Sequence, residues 1–123
     1  MEDFVTFELA KKLKEKGFNK RVRGYYWETG GLSICNTPMN SNALENEFSA
    51  PTISQVLKWL RDDNAMFVHI SIYSKGWYCD VYTYEYYEED REYGANHVVQ
   101  LDEFATYEEA ALAGIEYCLD DII

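Results

Sequence analysis

Residues 66–86 read MFVHISIYSKGWYCDVYTYEY. Two runs rich in β-branched and aromatic residues flank Lys75-Gly76, and each alternates with a period of two, the pattern of a β-hairpin. A two-residue turn at Lys75-Gly76 sets Ser74 opposite Trp77 and pairs Ile72 with Cys79, Ile70 with Val81 and Val68 with Thr83. All the aliphatic side chains then share one face. A three-residue turn would bring Asp80 opposite Ile70 onto that face and is rejected. The other face carries Phe67, His69, Ser71, Tyr73, Tyr78, Asp80, Tyr82, Tyr84 and Tyr86. Residues 88–92, all charged, are expected as a solvated loop that ends the strand.

Outward from the hairpin, NHVVQLDEF (96–104) predicts a third strand beside it. A helix follows, with Thr106 as N-cap, Glu109 at the capping-box position and an apolar stripe of Ala111, Leu112, Ile115, Cys118, Leu119 and Ile122. Upstream, APTISQVLKWL (50–60) holds a second capping box, Thr52 with Gln55, and a stripe of Ile53, Val56, Leu57 and Leu60. Asp62 and Asp63 oppose the dipole at a helix C-terminus, so that helix should stop there. A first helix is expected over residues 7–16, capped by Thr6 and stopped by Gly17, with Phe18 packing back on its last turn. Between these helices, Tyr25-Tyr26-Trp27 and Leu32-Ser33-Ile34-Cys35 flank Glu28-Thr29-Gly30-Gly31 as a second hairpin. The Asn- and Ser-rich stretch 36–50 shows no period and is expected as the longest loop.

The order is therefore α-β-β-α-β-β-β-α. It predicts an α+β fold: one small antiparallel or mixed sheet of about five strands, in two hairpins plus one strand, with three helices on its aliphatic face. At 123 residues the chain is expected to form a single globular domain, 1–123. The net charge is −11 and unevenly spread. Residues 1–23 hold seven Lys/Arg and four Asp/Glu, a net of +3, while residues 24–123 hold four and eighteen, a net of −14. Such a body repels phosphate backbones and anionic membranes and attracts basic partners, so no direct nucleic-acid binding is expected. Cys35, Cys79 and Cys118 are odd in number and form no CxxC pair. With no apolar leader and no membrane-length run, they predict a cytoplasmic protein with free thiols.

Three blocks, ELAKKLKEKGF (8–18), APTISQVLKWLRD (50–62) and FATYEEAALAGIEYCLDDI (104–122), stand in this order around the Tyr/Trp-rich hairpin. Together they resemble a group of small proteins encoded by Bacteroides-type gut bacteria and their phages and mobile elements. The resemblance covers about a third of the chain. It implies an intracellular single-domain protein in a mobile-element context and transfers no catalytic residues.

Chemistry-bearing patterns are sparse. His69 and Cys79 point to opposite faces of the hairpin, and Cys118 lies on a core stripe, so buried structural cysteines outrank a Cys-His nucleophile. His69 and Asp80 share a face, but two ligands are short of a closed metal site. The acidic loop lacks the alternating ligands and central glycine of a calcium loop. Gly30-Gly31 does not open a helix, so no phosphate loop is present. No catalytic residue, metal or cofactor is expected.

The tyrosine face remains. An acidic setting opposes base stacking. Either another segment, such as residues 37–50 or the first hairpin, covers the face, or the face is an interface to a partner or a second copy. Phe67, His69, Tyr73, Tyr78, Asp80, Tyr82, Tyr84 and Tyr86 are the candidate interaction residues. The first-ranked function is thus a non-enzymatic protein-interaction module. An acidic nucleic-acid mimic that blocks a basic host protein comes second, and a small enzyme third.

Overall fold

A computed structural model describes residues 3–123. They group into two compact units, residues up to 56 with Ile123, and Leu57–Ile122. Among the described residues the α+β class holds, with three helices and six strands. The strands form two three-stranded antiparallel sheets, one in each unit, and not the single sheet of about five strands that the sequence suggests.

In the first unit, α1 (Phe7–Glu15) starts at Thr6, whose Oγ1 accepts a hydrogen bond from Leu9 N at 3.2 Å. It stops one residue short of expectation because Lys16 is already the C-cap. Gly17 follows at φ +87°, where a side chain would be strained, and Phe18 is buried. β1 (Val22–Trp27) and β2 (Leu32–Met39) form the expected hairpin, closed by Gly30 N donating to Trp27 O at 2.8 Å.

The expected loop 36–50 is a correction. β2 runs on to Met39, a 3-10 turn covers Ser41–Ala43, and β3 (Glu47–Ala50) returns along the other edge of β1. Asn42 and Ser49, two polar residues of this stretch, are engaged in hydrogen bonds within the unit. Asn42 N donates to Ser49 Oγ at 3.0 Å, Asn42 Oδ1 accepts from Ser49 N at 2.7 Å, and Asn42 Nδ2 donates to Phe18 O at 2.8 Å. Phe48 packs edge-on against Phe7 at 5.7 Å. Pro38 is tolerated because β2 is an edge strand.

α2 (Ile53–Asn64) spans the division between the units. Its capping box forms as predicted: Gln55 N donates to Thr52 Oγ1 at 3.3 Å, and Thr52 N donates to Gln55 Oε1 at 2.8 Å. The helix ends just past Asp62 and Asp63, and Ala65 leaves it at φ +54°.

The second unit holds β4 (Met66–Tyr73), β5 (Gly76–Tyr87) and β6 (Glu92–Phe104), in that spatial order. The hairpin exists, but its register is corrected by two residues. The turn is Ser74-Lys75, and the pairs are Tyr73 with Gly76, Ile72 with Trp77, Ile70 with Cys79, Val68 with Val81 and Met66 with Thr83. Gly76 is not a turn residue. It begins β5 at φ +138°, and a Cβ there would collide with the Phe104 carbonyl of β6. A two-residue shift preserves the parity of every side chain, so both faces keep their predicted membership. The solvated stretch 88–92 is in fact a four-residue turn, 88–91, and Glu92 already belongs to β6.

α3 (Tyr107–Tyr117) crosses the aliphatic face of all three strands. Glu109 N donates to Thr106 Oγ1 at 3.1 Å, and Glu109 Oε2 reaches back one residue further than a standard box, to Ala105 N at 3.1 Å. Gly114 marks the closest approach to the sheet, since a Cβ there would run into Cys79 Sγ and Val68 Cγ1. Ala110, Ala111, Ile115, Cys118 and Leu119 are buried with Met66, Val68, Cys79 and Val81. Of the predicted stripe, Leu112 and Ile122 stay half-buried.

Candidate functional site

The face of the β4-β5-β6 sheet away from α3 alternates into view from three strands. β4 supplies Phe67, His69, Ser71 and Tyr73, and β5 supplies Tyr78, Asp80, Tyr82, Tyr84 and Tyr86. Cross-strand pairing sets Phe67 against Tyr82, His69 against Asp80 and Ser71 against Tyr78.

What β6 adds depends on an irregularity. Its register against β5 shifts between Val81 and Tyr82, leaving Val98 as the extra residue. Below the shift, Asp80 faces Gln100; above it, Tyr82 faces His97, Tyr84 faces Ala95 and Tyr86 faces Tyr93. Without the bulge, His97 would face Thr83 and Tyr93 would face Tyr87, both on the far side of the sheet. The bulge therefore moves His97 and Tyr93 onto the tyrosine face.

The result is an open groove of about 660 Å³ lined by Arg61, Phe67, His69, Tyr82, Tyr84, Tyr93 and Ala95. The rings in and beside it form two series, one from His69 to His97 and one around Tyr93. Phe67 stacks on His69 with centroids 6.0 Å apart and leans on Tyr82 at 6.4 Å. Tyr82 meets the His97 ring at 5.1 Å, Tyr84 meets Tyr93 at 6.1 Å, and Tyr93 meets Tyr86 at 5.0 Å. Tyr84 Oη donates to the Arg61 carbonyl, tying the sheet to the end of α2. Phe67 is 41 % exposed, Tyr86 51 % and Tyr93 72 %, so the face is open to solvent.

Asp80 lies beside this groove and is only 9 % exposed. Its Oδ1 accepts from Gln100 Nε2 at 3.2 Å and stands 2.9 Å from His97 Nε2. Two partners on one oxygen offset much of the cost of burying a carboxylate. Tyr73 and Tyr78 form a separate pair at the far end, edge-to-face at 4.7 Å. Desolvation raises the Tyr78 hydroxyl pKa above its usual value, and the nearby Glu103 and Asp102 carboxylates add to the shift.

Of the predicted residues, Phe67, His69, Tyr82 and Tyr84 line the groove, Tyr86 extends it through Tyr93, and Asp80 buttresses it. Tyr73 and Tyr78 are not part of it. Arg61, Tyr93, Ala95, His97 and Gln100 escape the sequence reading. The adjacent Val98-Val99, two apolar residues in a row on a strand with one buried face, is the sequence signal at the bulge.

Cys79 and Cys118 lie on the opposite side of the sheet, in the core. Burial pushes both thiols up to about 12, with Cys118 and Asp80 adding to the shift at Cys79. Burial and the raised pKa both disfavour the thiolate, the nucleophilic form of each. Among the described residues, no cluster of three or more His, Cys, Asp or Glu is arranged to hold a metal ion. Among the same residues, no helix is long and apolar enough to cross a membrane.

A scan against protein-family models, a search of curated proteins and a search of solved structures each return no match.

Proposed function

We propose that this is a non-enzymatic protein-interaction module that uses the tyrosine face of the β4-β5-β6 sheet. The observation that carries it is the exposed, preorganised aromatic groove, whose rings are held by one another and by β-sheet backbone. Tyrosine suits such a surface because it brings a large, fairly rigid ring and a polar tip at low entropic cost. Tyr82 and Tyr93 are the anchors. Tyr84 serves partly within the fold, through its bond to Arg61. The resemblance to mobile-element proteins supports a partner encoded by the host cell.

The test is partner capture from host lysate on immobilised protein, eluted with rising salt, for wild type and for Tyr82→Ala/Tyr93→Ala. A tyrosine anchor contributes about 1–2 kcal/mol, so the double variant should lose roughly tenfold or more in retention. Circular dichroism must show the variant folded. Equal capture by both proteins at every salt step would refute the proposal. Capture that ignores the tyrosines, collapses by 500 mM salt and is displaced by duplex DNA would instead make the protein an acidic nucleic-acid mimic.

A further inference from the structure

The two units differ sharply in charge. Residues 1–56 hold seven Lys/Arg and seven Asp/Glu, a net of zero. Residues 57–122 hold four and fifteen, so the whole net charge of −11 falls on the unit that bears the tyrosine face. Around that face stand Asp62 and Asp63 beside Arg61, the Glu88-Glu89-Asp90 turn that joins β5 to β6, and Asp102 and Glu103 near Tyr78. A second copy brings the same −11 and is repelled.

We infer that the groove takes a cationic side chain, a lysine or arginine presented by a basic segment of a protein partner, and holds it over the rings of Phe67, Tyr82, Tyr84 and Tyr93. This rests on the interface reading above and names the partner's chemistry. Ring faces carry the negative lobe of the aromatic quadrupole, and four rings lining one open groove are placed to share a cation. The surrounding carboxylates raise the local concentration of cations without sitting among the rings. Arg61 is the one opposing charge on the lining, and its Nε lies 3.4 Å from Asp62 Oδ1, which offsets part of it.

Fluorescein-labelled octalysine and octa-arginine are titrated against the full chain by fluorescence anisotropy, at 50 and 500 mM NaCl. Cation–π contacts should leave Tyr82→Phe within about threefold of wild type, because the ring face is kept. Tyr82→Leu and Tyr93→Leu keep apolar surface but lose the quadrupole, and each should weaken binding about fivefold or more at both salts. Arg61→Gln should tighten it. Leucine variants that bind like wild type would overturn the inference, because charge alone would then hold the peptides. So would a dimer seen by sedimentation and dissociated by Tyr93→Leu, which would make a second copy the occupant. Failure of both peptides, with tyrosine-dependent capture from lysate intact, would sink the cation inference and leave the interface reading standing. Peptides held through Tyr82, with lysate capture indifferent to it, would sink the interface reading instead.

Discussion

Adjacent residues on β5 meet opposite environments, and their chemistry divides accordingly. Asp80 turns to the tyrosine face, where it accepts from Gln100 and pairs with His97. Cys79 turns to α3 and is sealed beneath Gly114. Its thiol and that of Cys118 are pushed up to about 12 by burial, so the folded state prefers the neutral form of both. Their contribution to stability is therefore fully present below the ordinary thiol value of about 9 and is lost as pH rises from there toward 12. At pH 8, Ellman's reagent should titrate one thiol quickly, that of the half-exposed Cys35, and reach all three only in denaturant. Three fast thiols in the native protein would mean that the α3 side of the sheet is open. The opposite orientation of Cys79 and Asp80 is legible from alternation alone. The partners of Asp80 are not, because His97 reaches it only through a bulge on a strand that pairs across a turn.

At the scale of elements, the features set by neighbours in sequence are the ones most readily read. All three N-caps, Thr6, Thr52 and Thr106, hold the backbone N–H groups expected of them, since a cap needs only a side chain and an amide three residues on. Thr52→Ala removes a bond inside a reciprocal box and should cost about 1 kcal/mol, read as a lower urea midpoint with an unchanged m-value. An unaffected midpoint would show that packing alone starts α2. The hairpin at residues 66–87 is legible as a hairpin, but its register is not. Shifting by two residues keeps every aliphatic side chain on its face, so the hydrophobic pattern cannot choose between turns at Ser74-Lys75 and Lys75-Gly76. The close approach of Phe104 to Gly76 belongs to the observed register, and it is a long-range contact. β3 was hidden for a related reason. Asn42 and Ser49 carry the composition of a loop, yet they satisfy each other's backbone, and Phe48 supplies the apolar contact.

Across the whole molecule, charge is the dominant asymmetry, with a net of zero over residues 1–56 and −11 over residues 57–122. Self-repulsion of that size should be relieved by screening. Raising NaCl from 20 to 500 mM should lift Tm by about 5 °C, since the Debye length shrinks to a few ångströms. A flat or falling Tm would show that the carboxylates are already dispersed enough not to oppose folding. The α+β class, the three helices, the β4-β5 hairpin with the membership of its two faces, and the existence of a third strand beside it were determined by the sequence itself. Each follows from a local period or from a cap a few residues long. Only the tertiary structure decided that the strands divide into two sheets, that residues 47–50 complete the first, and that a bulge at Val98 brings Tyr93 and His97 to the tyrosine face. Those outcomes depend on which strand lies beside which, and on where an alternating strand takes on an extra residue, quantities set by contacts between residues far apart in the chain.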